Sequence, residues 1–580
     1  MFRMIRRNRT NRSACPMNMP SMTATSRWRR LAASLVASLV ALSLFTALTI
    51  GLTGLISAKS RAASAASATS APPQVYQPSG QGTALAHGVV DVAKLPTFTP
   101  QGGASAQAPT PVPGAPHAQQ LAQRLPASGA TAESQDFVGG GALPVLGKQF
   151  DGLNSTQAGG GWATTAIATD VGYVMQGTTN AIAIYSPSSG ATLGGPYSAQ
   201  SFFASVYHGA SYLFFDPQMY FDVMRKRWIV AYLESDIIGD SYLDVAVSKT
   251  DTPTQQYNVY QFATDFVPNV FDNVCNHMTL GVDYWGIYLA CPSSSFSFNR
   301  VGNTVLAIDK APMLTGAPNP KTWYWNDRVK TANDAALAWH VSPTIVEGQQ
   351  DAEFVVAIDT ILSSGPSSNI TVCAVTNQST IATAEPLFTC LHTDLGYTYS
   401  APIPPRLPGG TVSPTVPGFK QVYYKAGHLF LAWAGAAKGY DAINYAEIRP
   451  ILRQKSIDRV EVMAAGTGTL SVPNQDLYDP AIVGTDEDDI VLVFNSSGPS
   501  TNPSIKYTGR KATDPDKVMG QGTSGVVISA TDVSGSASGA EYAACALSMN
   551  SATRGNVWCA SQYFRPGAGW STRIYNLHAE

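Results

Sequence analysis

The pattern of apolar and polar residues changes near residue 150 of this chain. After Phe150, the residues Tyr, Trp, Phe, Val and Ile occur in short runs, and Gly, Pro, Asn, Asp and Ser separate these runs. Short apolar runs that are rich in β-branched and aromatic residues and bounded by turn formers are typical of β-strands. The pattern therefore predicts an all-β domain over residues 146–580.

The strand pattern repeats along this domain. Several repeats begin with Asp-Pro or Ser-Pro, followed by a short strand, a polar turn and a strongly apolar strand. Repetition of this kind is typical of β-propellers, which are built from blades of four antiparallel strands. The repeats start near Ala163, Asp216, Thr279, Ser342, Ser413, Asp479 and Glu541. They favour a single seven-bladed propeller, with six blades or a two-sheet sandwich as alternatives.

The last repeat is one strand short, since it ends at the segment WSTRIYNL. A strand near Phe150–Leu153 would complete the last blade and close the ring. Closure removes exposed sheet edges, which are otherwise sites of aggregation. We therefore expect the start of the domain to pair with its end.

The N-terminal region has a different character. Leu31–Ile56 carries no charged residue and is long enough to span the ~30 Å hydrocarbon core. The arginines that precede it predict that residues 1–30 form a basic cytoplasmic tail. Residues 31–57 are predicted to be a transmembrane signal-anchor, with a cleaved signal peptide as the alternative. Residues 58–145 are rich in Ala, Ser, Pro and Gly, which predicts a disordered linker.

Charge is segregated along the chain. Residues 1–61 hold ten Lys or Arg and no Asp or Glu, which leaves 27 basic and 39 acidic residues in the rest. Phosphate binding needs a clustered basic face, so this balance argues against nucleic acid as a partner. No Gly-rich phosphate loop opens a helix, and no cofactor is predicted.

The seven cysteines test the topology independently. Cys15 lies on the predicted cytoplasmic side, whereas the others fall into closely spaced pairs. Pairing of neighbours in sequence keeps every bridge within one hairpin and implies an oxidising compartment, while six free thiols are the alternative. The predicted disulfides are Cys275 with Cys291, Cys373 with Cys390, and Cys545 with Cys559.

Several segments carry a resemblance to known proteins. They include DPQMYFDVMRKRWIVAYL, LGVDYWGIYLAC, VLAIDKAPMLTG and GWSTRIY. Across residues 162–577 the chain resembles a group of secreted bacterial β-propeller proteins of largely unassigned function, related to sialidase-like propellers. Ser248–Tyr257 also resembles their Asp-box turn, with Pro253 and Thr254 where the family has Gly. The resemblance implies an extracellular propeller and supplies no catalytic residues.

Polar residues at the starts of the inner strands are the natural candidates for a site, because these strands and their loops form the ligand face of a propeller. The candidates are Asp216, Asp222, Asp283, His340, Asp479 and Glu541. Asp216, Asp283 and Asp479 are the catalytic candidates, and two of them could act as acid and base if they converged. The alternative is a structural role in turns, since Asp oxygens readily accept backbone N–H bonds.

A ligand-binding surface is predicted at Trp323, Tyr324 and Trp325. This aromatic cluster follows the Pro-rich segment GAPNPK, and exposed aromatic rings stack on sugars. Packing at a blade edge is the alternative.

No metal site is predicted. Residues 486–489 (DEDD) could attract calcium, but they lack the alternation of a calcium loop and are expected to form a solvated turn. The histidines His277, His340 and His428 show no metal-binding spacing and are expected to be structural.

The sequence favours a binding or scaffolding propeller that is membrane-anchored or secreted and recognises an extracellular glycan or protein. The alternative is a sialidase-like glycoside hydrolase or a polysaccharide lyase acting on extracellular glycans. The arrangement of the side chains distinguishes these two hypotheses. An enzyme needs two or more titratable groups in one place, whereas a binding protein can use aromatic and backbone groups.

Overall fold

The computed structural model gives the fold of the unit Ser70–Glu580. It describes residues 72–98, 143–160, 163–209, 212–236, 241–264, 274–275, 277–294, 301–332, 336–338, 340–359, 366–412, 418–485, 488–514, 519, 524–530, 542–548, 555–565 and 569–579. The predicted membrane segment 31–57 lies outside these residues. No helix within the described ranges is both long and apolar enough to cross a bilayer.

The described chain is almost entirely β, and its strands form antiparallel four-stranded sheets in sequence order. Sheet 1 contains β5 (Ala166–Asp170), β6 (Tyr173–Thr178), β7 (Ala181–Tyr185) and β8 (Thr192–Ser198). Sheet 2 contains β9 (Tyr212–Asp222), β10 (Arg227–Asp236), β11 (Ser241–Ser248) and β12 (Gln256–Ala263). Sheet 3 contains β14 (Thr279–Val282), β15 (Gly286–Ser294), β16 (Val301–Asp309) and β17 (Thr322–Asn326), and β13 (Val274–Cys275) extends it beside β15.

Sheets 4 to 7 follow the same plan. Sheet 4 contains β18 (Val341–Val346), β19 (Ala352–Ile358), β20 (Ser367–Thr376) and β21 (Leu387–Tyr399). Sheet 5 contains β24 (Val422–Lys425), β25 (His428–Ala437) and β26 (Tyr440–Arg453), with β27 (Ser456–Val462) and β28 (Gly468–Leu470) both beside β26. Sheet 6 contains β29 (Asp476–Gly484), β30 (Ile490–Gly498), β31 (Thr501–Arg510) and β32 (Gly525–Ser529). Sheet 7 contains β33 (Ala544–Leu547), β34 (Asn556–Arg565), β35 (Gly569–His578) and β4 (Val145–Asn154).

Short elements fill the connections. A small hairpin is formed by β22 (Arg406–Leu407) and β23 (Gly410–Thr411). The short helices are α1 (Ala199–Phe202) and α2 (Lys310–Thr315), and the 3-10 turns are Val92–Lys94, Gln378–Thr380 and Ala464–Gly466.

The all-β prediction is confirmed. The first strands are largely buried on both faces, as in β5 and β14, because a neighbouring sheet covers them on either side.

The first strands of the sheets contact one another in cyclic order. Strand β5 lies against β9, and the series continues through β14, β18, β24, β29 and β33 back to β5. Two of these contacts include parallel pairing, between Val282 and Ile345 and between Thr344 and Val422. Radial repetition of four-stranded sheets is β-propeller architecture, and it places the first strands at the centre of the ring.

The ring is closed by a strand from the start of the domain. Strand β4 pairs antiparallel with the C-terminal strand β35, with Phe150 opposite Ile574. The predicted closing strand is therefore present, and it covers the edge that β35 would otherwise expose.

Residues 72–98 correct the predicted linker. They form β1 (Gln74–Tyr76), β2 (Gly80–Gly82) and β3 (Ala86–Asp91), which add an outermost strand to sheets 4, 3 and 2 respectively. Composition missed these strands because their pairing partners are backbone groups on the outer edges of the sheets, and such edges accept many side chains.

All three predicted disulfides are present. Cys373 and Cys390 lie directly opposite each other on β20 and β21, and Cys545 and Cys559 do so on β33 and β34. Cys275 bonds with Cys291 of β15, across the short pairing of β13 with that strand. Three bridges within hairpins indicate folding in an oxidising, extracytoplasmic compartment.

Candidate functional site

Five titratable side chains from five sheets meet at one end of the first strands. We call them the central cluster: Asp216 of β9, His277 before β14, His340 before β18, Lys420 before β24 and Tyr542 before β33. The ring order brings them together, because each lies near the N-terminal end of a first strand and these strands surround the centre. Asp216 and His340 were predicted candidates for a site.

The cluster is held by direct contacts. The ring centroid of His277 lies 5.6 Å from that of His340 and 6.1 Å from that of Tyr542. Lys420 Nζ lies 4.7 Å from the Tyr542 ring centroid, which is within the range of a cation–π interaction. The same Nζ donates a 3.0 Å hydrogen bond to the Pro217 carbonyl, so a residue of sheet 5 reaches sheet 2.

All five side chains are buried, with exposed fractions between 1% for His340 and 6% for His277. Burial disfavours the charged form of a histidine. It lowers the pKa of His277, an effect that Lys420 strengthens and Asp216 opposes. Burial, together with the charge of His277, holds the pKa of His340 well below its usual range. Both imidazoles are therefore neutral at pH 7.

Asp216 fixes the main chain at His277. Its Oδ2 accepts a 2.9 Å hydrogen bond from the His277 backbone N–H. Asp216 and Pro217 form a β-bulge opposite Tyr232, and Asp216 adopts a left-handed conformation with φ of 46°. The Asp-Pro signal thus marks a bulge that directs a carboxylate towards the next sheet.

Nδ1 of His277 and Oε1 of Gln218 are buried in this region and have no hydrogen-bond partner among the described residues. The Gln218 amide nitrogen donates to the Met278 carbonyl at 2.6 Å. Buried polar atoms without partners are rare in folded proteins, and they mark places where a ligand or water can bind.

The His340 ring is packed against the main chain of Gly418. A Cβ atom at residue 418 would overlap the ring, so only glycine allows this approach. The position of His340 is therefore fixed by the chain just before β24.

Asp222 and Asp283 lie at the opposite end of the first strands, around Lys310. Lys310 Nζ is 2.5 Å from Asp222 Oδ2 and also donates to the Asp283 carbonyl. The Asp283 carboxylate accepts the N–H groups of Trp285 at 2.7 Å and Gly286 at 2.5 Å and the Tyr288 hydroxyl at 3.0 Å. Burial raises the pKa of Asp283, while Lys310 opposes the shift. These carboxylates stabilise strand ends and do not meet Asp216.

Asp479 occupies the same kind of bulge as Asp216. Asp479 and Pro480 lie opposite Phe494, and φ of Asp479 is 51°. Its Oδ2 accepts a 3.4 Å contact from the Asn495 amide. The nearby buried carboxylate of Asp476 binds the Arg406 guanidinium at 2.7 and 2.8 Å. Asp216 and Asp479 therefore occupy equivalent bulges in the first halves of their strands, Asp283 lies beyond the other end of its strand, and Glu541 lies outside the described residues.

The predicted aromatic surface lies on β17, at the outer part of sheet 3. Trp325 is fully buried between sheets 3 and 4, so its ring is not available to a glycan. Trp323 is partly buried and donates its indole N–H to the Ile381 carbonyl at 2.9 Å. Strand β2 pairs with the outer edge of β17, and this packing at the blade edge explains why β17 is buried.

Sequence reasoning did not single out His277, Lys420 and Tyr542 as members of one site. Their only common signal is position, because each comes one or two residues before a first strand. His277 was expected to be structural, and Lys420 and Tyr542 carry no motif of their own.

No protein-family model matches the chain, and no curated protein does. Solved structures align with it over much of its length. A PL25 ulvan lyase bound to -[GlcA(1-4)Rha3S]- shares 12% identity over 72% of this chain and 94% of that chain, with a TM-score of 0.36. A GH43 endo-arabinanase from Bacillus licheniformis shares 11% over 60% and 94%, with a TM-score of 0.28. The Hadza microbial sialidase Hz136 shares 10% over 69% and 73%, with a TM-score of 0.33. Similarity at this level carries no inference.

Proposed function

We propose that this chain is a seven-bladed extracellular β-propeller that binds an acidic glycan at the central cluster and cleaves it by β-elimination. Residues 31–57 serve as its membrane anchor or export signal. The observation that carries the proposal is the meeting of two neutral histidines, a lysine and a tyrosine at one end of the first strands.

Convergence of titratable groups favours catalysis over binding alone. A glycan-binding surface can be made from aromatic rings and backbone groups, and it needs no histidine with a lowered pKa. Groups with shifted pKa values gather at catalytic sites, because a general base works best when it is unprotonated at the working pH. His277 and His340 meet this condition.

The residue types favour elimination over hydrolysis. Glycoside hydrolysis usually requires two carboxyl groups, one as acid and one as base or nucleophile. Within the described central cluster there is one carboxylate, that of Asp216, and it is engaged with the His277 N–H. A sialidase-like site would also need several arginines around the sugar carboxylate, and the cluster contains a single lysine as its cation.

β-Elimination at a uronate needs a cation, a base and an acid. Lys420 would bind the uronate carboxylate and stabilise the negative charge that develops when the adjacent C–H bond is broken. His277 Nδ1 would take that proton, the C4–O bond would break as the C4–C5 double bond forms, and the Tyr542 hydroxyl would protonate the departing oxygen. His340 would position His277 through ring contact, and proton exchange with solvent would restore both groups.

Incubation of the protein with uronate-containing polysaccharides tests the proposal. We expect new reducing ends together with ultraviolet absorbance, since the C4–C5 double bond is conjugated with the carboxylate. Reducing ends without this absorbance would indicate hydrolysis. Retention of the glycan without any product would support the binding role that the sequence favours and would contradict elimination.

The pH dependence of the reaction follows from the lowered pKa values of the histidines. An ordinary histidine titrates near pH ~6.5, and a base with a lower pKa stays unprotonated in more acidic solution. Burial lowers the pKa of His277, so kcat/KM should fall only when the pH drops through that lower value. A profile of kcat/KM between about pH 4 and 8 checks this. An acid limb with its midpoint at or above pH ~6.5 would contradict the role of His277.

A further inference from the structure

A second group of polar side chains lies between sheets 5 and 6. His428 is the first residue of β25, Glu447 lies on the adjacent strand β26, and Asp488 lies in the hairpin that joins β29 and β30. Neither Asp216 nor any other member of the central cluster takes part. The group is therefore independent of the proposed active site.

The geometry of this group resembles that of a ligand set for a cation. His428 Nδ1 lies 2.6 Å from Glu447 Oε1 and 3.8 Å from Asp488 Oδ1. One imidazole nitrogen and one oxygen from each carboxylate all lie within 4.8 Å of one another. Ligand atoms around a tetrahedral zinc ion are each ~2.0–2.2 Å from the metal and therefore roughly 3.3–3.6 Å from one another, so metal binding would separate His428 from Glu447 and bring Asp488 closer.

Two of the ligands lie in buried surroundings. The side chains of His428 and Glu447 are 11% and 5% exposed. The backbone N–H of Glu447 donates to the Thr467 hydroxyl at 3.2 Å. Gly466 faces the Glu447 carboxylate so closely that a Cβ atom there would overlap Oε2. Two of the three ligands thus lie on strands, and the glycine at residue 466 leaves space for the Glu447 carboxylate.

The position of Asp488 is a further observation in favour of a cation site. Its Oδ1 is shielded from solvent and has no hydrogen-bond partner among the described residues, although it points towards His428. Asp488 also adopts a left-handed conformation with φ of 61°, which directs it back over the hairpin. A hydrogen bond between His428 and Glu447 accounts for those two residues, but it does not account for the position of Asp488.

The electrostatic balance also favours a cation. Once His428 has given up its proton to bind a metal, the imidazole and the two carboxylates carry two negative charges, and the nearby Arg449 is paired with Glu461 at 2.8 Å. Like charges held close together are stabilised by an ion that binds between them.

We propose that His428, Glu447 and Asp488 bind one divalent transition-metal ion, with Zn²⁺ as the best match. A nitrogen ligand with two carboxylates suits zinc, whereas calcium prefers six or more oxygen ligands. Three protein ligands leave a fourth position for water. Since the ligands come from two sheets, the metal would join sheet 5 to sheet 6.

Titration of the full chain, stripped with a chelator, tests this site. We expect Zn²⁺ to bind saturably with one equivalent in calorimetry and to raise the Tm, and Co²⁺ to give the visible absorption bands of a tetrahedral site. Asp488→Asn should weaken Zn²⁺ binding at least tenfold. It should leave the fold intact, because Asp488 is 44% exposed.

Asp489→Asn is the matched control, since this neighbour bonds to the backbone N–H of Ala512 at 2.8 Å and lies outside the ligand set. It should bind Zn²⁺ like the native chain. His428→Gln provides a second loss of a ligand. The proposal is overturned if the native chain binds no Zn²⁺, if it prefers Ca²⁺, or if Asp488→Asn and Asp489→Asn bind Zn²⁺ equally.

Discussion

The substitution His277→Gln should reduce the rate of product formation by a factor of about 10²–10⁴, the usual contribution of a general base. Glutamine has a similar volume but cannot accept the proton from the substrate carbon. The hydrogen bond that holds this segment is kept in the variant, because Asp216 accepts it from the backbone N–H of residue 277 and not from the ring. Ultraviolet absorbance of the unsaturated product measures the rate, and thermal unfolding checks the fold.

His392→Gln is the matched control for this substitution. His392 lies on β21, far from the first strands, and its Nδ1 bonds with the Thr371 hydroxyl at 2.9 Å. It should retain the native rate. Tyr542→Phe, which removes only a hydroxyl, should also lower the rate while leaving its contact with Lys420 in place. Full activity of His277→Gln would show that the base lies elsewhere.

The substitution Lys310→Met should lower the free energy of unfolding by about 3–5 kcal/mol, the usual cost of removing one partner of a buried ion pair. Lys310 and Asp222 are almost fully buried, and their charged atoms lie 2.5 Å apart. Without the lysine, the Asp222 carboxylate remains buried without its cation. The Asp283 carbonyl also loses a donor. Denaturant unfolding measures the change.

The double variant Lys310→Met, Asp222→Asn separates the ion pair from packing. Removal of both charges eliminates the uncompensated carboxylate, so this variant should recover much of the lost stability. Equal destabilisation in the single and double variants would mean that Lys310 contributes through packing alone. Neither variant touches the central cluster, so the rate per folded molecule should stay native.

Local features of the fold could be read from the sequence because they depend on neighbouring residues. Alternation of apolar runs and turn formers determines strands, and the spacing of cysteines determines bridges within a hairpin, as for Cys545 and Cys559. The closing strand near Phe150 was also predictable, since the last repeat lacked a strand.

The strands at residues 74–91 could not be predicted in this way. They are held by backbone hydrogen bonds to sheet edges formed much later in the chain, such as that of β12, whose Gln256 pairs with Asp91 across 165 residues. Composition describes the side chains of a segment, whereas this pairing depends on a backbone edge that exists only after the sheets have folded.

An all-β repeat domain with hairpin disulfides could be predicted from the amino-acid pattern alone, because these properties arise from contacts between residues close in the chain. Which polar residues lie close together depends on the folded ring. The folded ring places Asp283 at the opposite end of the first strands from Asp216 and Asp479, although the three look alike in sequence, and it brings His277 to Lys420 and Tyr542. The physical reason is ring closure, since side chains from distant repeats become neighbours only when the first strands surround a common centre.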